Sequence, residues 1–141
     1  MERSLGRYST YIYAVLRIVS GFLLLMHGTQ KLFGYPPQNV APGGSAPAGL
    51  SPMMTAAGVI ETIGGLLIMF GLFAGIAAFI ACGEMAAAYF IGHFSASKFL
   101  PIQNSGEPAV LLCFVFLFVA SRGSGVWSID SIFRSGPVSD T

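Results

Sequence analysis

Charge is scarce in this chain. Only 9% of its 141 residues are Asp, Glu, Lys or Arg, where a soluble domain carries roughly a quarter. Seven Lys and Arg face six Asp and Glu, so there is no basic surplus, and nucleic acid is not an expected partner. Cysteine is scarce too. Cys82 and Cys113 are the two in the chain, and they form no Cys-x-x-Cys pair and no zinc-spaced Cys/His set, which argues against a metal site. Counted at roughly 1.5 Å per residue they fall near opposite ends of neighbouring helices, so buried small hydrophobes, not a disulfide, are expected. A nucleophile triad and a nucleotide-binding loop are also missing, since Gly123-Ser-Gly125 precedes no phosphate-binding strand–helix unit.

Apolar length is what the chain does have. Apolar residues make up 54% of it, and its charges gather in tails and loops. That is the pattern of an integral membrane protein, read here as one all-α domain, an antiparallel four-helix bundle in the lipid bilayer. With about 20 residues needed per crossing, the spans fall at 11–33, 53–72, 76–94 and 107–121. The first span is expected to be an uncleaved crossing, because Arg17 interrupts it and no small-x-small site follows Met26. Residues 34–52 are rich in Pro, Gly and Ser, carry no charge and read as an irregular loop. The proline-free run 53–94 is too long for one crossing, and Gly71 and Gly75 around Leu72-Phe73-Ala74 mark a tight hairpin.

Glu107-Pro108 opens the last span, proline being tolerated in a first turn; that span is short. The tail 122–141 is polar, with Trp127 at headgroup level. Four crossings bring both termini to one side. Arg3, Arg7, Arg122 and Arg134 lie on that side against Lys98 and Lys31 on the other, which places the termini in the cytoplasm.

The informative residues are the charges inside the spans: Arg17, His27 and Lys31 on the first, Glu61 on the second, Glu84 on the third. An ionised group at that depth costs a few kcal/mol unless the protein pairs it, and so marks a candidate site. At about 100° per residue, Arg17, Gly21, Leu24, Gly28 and Lys31 share an arc, with His27 at its edge. Ala57, Gly58, Glu61, Gly64 and Gly65 share another, and Ala77, Ala81, Glu84 and Ala88 a third. Small residues beside each charge mark faces where membrane helices approach closely. Arg17 is therefore expected to pair with Glu84, Glu61 or both.

Plainer roles exist for these groups. A buried ion pair can simply fix register, and Lys31 can snorkel to the interface. His93 closes the third span on the side of His27. Two such histidines could ligate a haem, but most lone helical histidines are not ligands, and haem is not expected. Glu107 reads as a helix N-terminal charge.

Taken together, Arg17-x3-Gly21 running into His27-Gly28-x2-Lys31-Leu32, then Glu61-x2-Gly64-Gly65-Leu66, Gly71-Leu72, Glu107 and the closing Gly123-x-Gly125-x2-Ser128-x-Asp130 resemble the DoxX family of small four-span bacterial membrane proteins. The resemblance implies a plasma-membrane subunit of a respiratory or redox assembly, with quinone-linked thiosulfate oxidation and thiol stress among the family's settings. The lack of a Cys-x-x-Cys pair departs from direct disulfide chemistry. On this reading helices 1–3 form a pocket for a quinone headgroup, with Glu61 as proton acceptor or hydrogen-bond partner, Arg17 as electrostatic anchor and His27 as donor near the mouth. The alternative is a non-catalytic scaffold, either a homo-oligomer or an accessory subunit of a larger membrane complex. A transporter working as an oligomer comes third.

Overall fold

The computed structural model describes residues 5–37 and 49–134. Arg3, most of the loop 34–52 and the tail beyond residue 134 lie outside the described residues. Helix α1, Ser9–Phe33, ends where Gly34 takes the left-handed φ of 68° and its N–H donates to the Gln30 carbonyl at 3.1 Å. Helix α2, Pro52–Phe70, starts behind Ser51, whose Oγ accepts the Met54 N–H at 3.2 Å. Its Pro52 sits in the first turn, where a missing N–H costs nothing. Gly71 stops α2 at φ 69°. The Leu72 N–H then reaches back to the Leu67 carbonyl at 2.9 Å, closing the helix end by the common glycine route.

After Phe73 the chain turns directly into α3, Ala74–Ala88, which widens into a π-helical turn at Tyr89–His93. A four-residue helix α4, Pro101–Asn104, precedes α5, Glu107–Arg122, and a last short helix α6, Ile129–Arg134. Among the described residues every regular element is helical.

Three of these helices are long and apolar enough to cross a membrane: Ser9–Phe33, Pro52–Phe70 and Ala74–His93. Helix α5 has 16 residues and falls short of that length. Packing joins α1 to α2 and α3 to α5, and a smaller α2–α3 contact unites the two pairs. The outward faces carry Val15, Val19, Phe22, Ile63, Phe79, Phe90, Leu111 and Phe114, all exposed. In water so broad an apolar surface would drive aggregation; in a bilayer it meets a solvent of its own kind. The chain lives in lipid.

Without a hydrophobic force between helices, association in lipid depends on close contact. The α1–α2 seam achieves this with glycine. A Cβ on Gly21 would stand 2.6 Å from the Met69 amide nitrogen, and one on Gly65 2.5 Å from that of Leu25. Both obstacles are backbone, which cannot rotate aside. The α3–α5 core uses alanine instead, with Ala77, Ala78 and Ala81 buried in one cluster with Phe116 and Val119. Gly65→Leu should therefore lower stability by about 3 kcal/mol or more, the upper end of overpacking costs. Thermal unfolding in mild detergent checks it, with Ile63→Leu on the lipid face as the neutral comparison.

Candidate functional site

The far half of the α1–α2 seam, away from the Gly71 hairpin, carries an ion pair. Lys31, in the last turn of α1, bonds the Glu61 carboxylate through Oε1. Glycine makes the approach possible, since a Cβ on Gly28 would stand 2.9 Å from the Glu61 carbonyl carbon. The Glu61 side chain is 1% exposed and that of Lys31 21%, so the carboxylate is held by the protein while the ammonium reaches toward the surface. Removing one partner of such a pair strands the other and costs about 3–5 kcal/mol. The second oxygen of Glu61, Oε2, is buried without a hydrogen-bond partner among the described residues, and so is Oε2 of Glu84 on α3. Glu84 lies within electrostatic range of both Glu61 and Lys31. Lys31 is bonded to Glu61, and Glu84 feels its charge without touching it.

Between α2 and α3 this polar cluster opens into a cleft of about 490 Å³ whose lining includes Lys31, Glu84 and His93. Ile60, Ile80 and Ile91 supply apolar walls. An apolar cavity of this size with a few convergent polar groups is the usual form of a small-molecule site. His93 is held at the rim, its Nδ1 3.1 Å from the Asn104 carbonyl. The π-helical turn beside it is braced by the Tyr89 hydroxyl, which donates to the Phe99 carbonyl at 2.6 Å.

The structure brings Lys31, Glu61 and Glu84 together and leaves out the other two expected members. His27 is exposed on α1 and lines no part of the cleft. The buried arc of α1 runs through Gly21, Leu24 and Gly28, and a residue one step before Gly28 is rotated by about 100° away from it. His27 and His93 therefore do not converge, and among the described residues no group of three His, Cys, Asp or Glu could hold a metal ion.

Arg17 meets neither glutamate, contrary to the expected pairing. It is fully buried at the hairpin end of the seam, in a cage of backbone carbonyls. Its Nη1 donates to Ile68 at 2.8 Å and Met69 at 3.0 Å, and its Nη2 to Trp127 at 2.7 Å and Val126 at 3.3 Å. Ile68 and Met69 belong to the last turn of α2, where the carbonyl end of the helix presents about half a negative charge, and the Ile68 oxygen also accepts the Gly71 N–H at 3.2 Å. A helix terminus takes the place of the carboxylate. Gly71 leaves the room, as a Cβ there would stand 2.5 Å from Nη1.

The other half of the cage comes from the tail, folded back onto the hairpin. The Asp130 N–H donates to the Gly71 carbonyl at 3.1 Å, and Asp130 Oδ2 accepts the Phe73 N–H at 2.9 Å together with the Ser124 hydroxyl. Sequence reasoning missed this clasp as a site, and its signal was the Gly123-Ser-Gly125 to Asp130 segment. Tyr13 adds to it from α1, its hydroxyl donating to the Gly123 carbonyl.

A second correction concerns the cysteines. They do not lie at opposite ends of their helices: Cys82 Sγ on α3 and Cys113 Sγ on α5 are 3.6 Å apart, both as free thiols.

Comparison with known proteins bears on the same residues. The DoxX family model matches residues 12–94, which include all five candidate residues and end before α5. A protein of Haemophilus influenzae described as an uncharacterized protein is 40% identical over 132 residues, 92% of this chain and 96% of its own length. No solved structure matches.

Replacing Arg17 with Leu should remove four hydrogen bonds to backbone carbonyls and detach the clasp, at a cost of about 3 kcal/mol or more. Asp130→Ala, which loosens the same clasp from outside, should cost about 1 kcal/mol. Thermal unfolding in detergent ranks the two, and Arg17→Leu as stable as wild type would refute the cage.

Proposed function

The chain belongs to the DoxX family, and on that footing we propose that it is a bacterial inner-membrane component of a quinone-linked redox assembly, binding a quinone-type headgroup in the α2–α3 cleft. The observation that carries this reading is the buried, unpartnered Oε2 of Glu84 beside Lys31 in an otherwise apolar cleft. An unsatisfied buried acceptor costs about 1–3 kcal/mol, and a headgroup hydroxyl would relieve that cost. The Lys31 ammonium suits a headgroup carbonyl, and the isoleucine walls suit a hydrocarbon tail. A quinone supplies two-electron, two-proton chemistry when bound. The residues of this chain would bind and orient it, with Lys31 as donor, Glu84 as acceptor and His93 at the rim. Glu61 holds Lys31 in place. Arg17 and His27 have no part in this version of the pocket.

In the same reading α5 is the fourth crossing and completes an antiparallel four-helix bundle. Its 16 residues span about 24 Å, enough for a locally thinned bilayer. Both termini then face the cytoplasm, as the arginines of the two tails favour. A second reading, an accessory subunit without chemistry of its own, draws support from the glycine seam and the Arg17 cage, whose contacts join helix to helix and tail to hairpin. Native mass measured in nanodiscs separates the two, since the first reading expects quinone to travel with the protein.

Glu84→Leu is the sharpest test of the site. It should weaken binding of a short-tailed ubiquinone to the protein in nanodiscs about tenfold, roughly 1.4 kcal/mol, while raising thermal stability by removing an unsatisfied polar atom. Unchanged quinone affinity in that variant, or no quinone binding by the wild type, would overturn the reading.

A further inference from the structure

Cys82 and Cys113 face each other across the α3–α5 interface with their sulfurs 3.6 Å apart. They are the two cysteines of the chain, they lie 31 residues apart in sequence, and they come from helices that pack along their length. A disulfide requires an S–S distance of about 2.05 Å, so the sulfurs need close by only about 1.5 Å, within reach of side-chain rotation. The α3 positions one turn before and directly before Cys82 are Ala78 and Ala81, both small and with no exposed surface. Each cysteine is only partly buried, and the surface around them is the lipid-facing one, with Phe79 and Phe114 exposed.

We propose that Cys82 and Cys113 form a redox-active dithiol that lipid-soluble hydroperoxides convert to an intramolecular disulfide linking α3 to α5. In the first step one sulfur attacks the O–O bond of the hydroperoxide, giving a cysteine sulfenic acid and the alcohol. In the second, the facing sulfur attacks the sulfenic sulfur, the S–S bond forms and water leaves. Two thiols and one hydroperoxide thus yield one disulfide, one alcohol and one water. The hydroperoxide is reduced by two electrons and the sulfur pair oxidised by two. The partner stands where the second step needs it, so the sulfenic acid is captured before further oxidation. The reagent arrives through the bilayer, since both thiols are partly exposed beside the outward-facing Phe79 and Phe114. The chemistry is independent of the quinone reading, since the cleft lies on the opposite face of α3, lined by Ile80 and Glu84.

The full chain in phosphatidylcholine nanodiscs is exposed to cumene hydroperoxide, then denatured and alkylated with a maleimide, and its intact mass is read. Both thiols should disappear together, with a monomer lighter by two hydrogen atoms, and both should return on treatment with a phosphine reductant. In Cys82→Ser and Cys113→Ser, folded as judged by unchanged elution in detergent, no such mass loss should occur, and at least one of the two should yield a dimedone adduct at the remaining cysteine. Thiols still fully alkylatable while a lipid-phase thiol probe is consumed would overturn the proposal. So would independent oxidation of the two to sulfinic acids, a disulfide between chains instead of within one, or dimedone adducts in neither variant.

Discussion

Hydrocarbon does not tolerate an unpaired carboxylate, and the Lys31–Glu61 ion pair is how this protein keeps one in its interior. Glu61 is almost fully shielded and sits at the centre of the helix that touches both α1 and α3. Its charge is answered from α1, which fixes the register of the seam. Lys31 also lines the cleft, where Glu84 presents an oxygen without a partner among the described residues. Structure and candidate function therefore draw on a single cation. Packing requires the pair, and the cleft uses what the pair leaves over.

The opposite pole of the seam is solved by different chemistry. There a guanidinium is balanced by the carbonyl end of α2 and by a folded-back tail. Arginine suits the task because its planar fork places several donors at fixed angles, and four of its hydrogen bonds end on backbone oxygen. Between the two poles lie Gly21, Gly28 and Gly65, where the backbones come too close for a side chain. A polar clamp at each end and glycine between them hold α1 and α2 in one arrangement, in a solvent that provides no hydrophobic push.

Much of this was legible in the residues. The arc Arg17, Gly21, Leu24, Gly28 is the buried arc of α1, and Gly58, Glu61, Gly64, Gly65 that of α2, because helical periodicity and small residues survive in any helix. Pairing was not legible. Arg17 chooses carbonyls, which every residue possesses and no side-chain pattern announces. Its partners at 126 and 127 are delivered by a tail whose folding depends on Asp130 finding Phe73 and Gly71. The level of the two cysteines depends on which helix ends adjoin. Cys82 lies eight residues beyond the start of α3 at Ala74, and Cys113 nine before the end of α5 at Arg122. Those helix ends adjoin, so the two sulfurs are level, while the π-helical turn at Tyr89–His93 lengthens α3 at the other end.

A double-mutant cycle over Lys31→Met and Glu61→Gln, read by unfolding free energy in one detergent, tests the central pair most directly. A coupling energy of about 3 kcal/mol is the result this account predicts for a buried ion pair. Additivity of the two single changes to within about 0.5 kcal/mol would contradict it, and with it the placement of Lys31 at the head of the cleft.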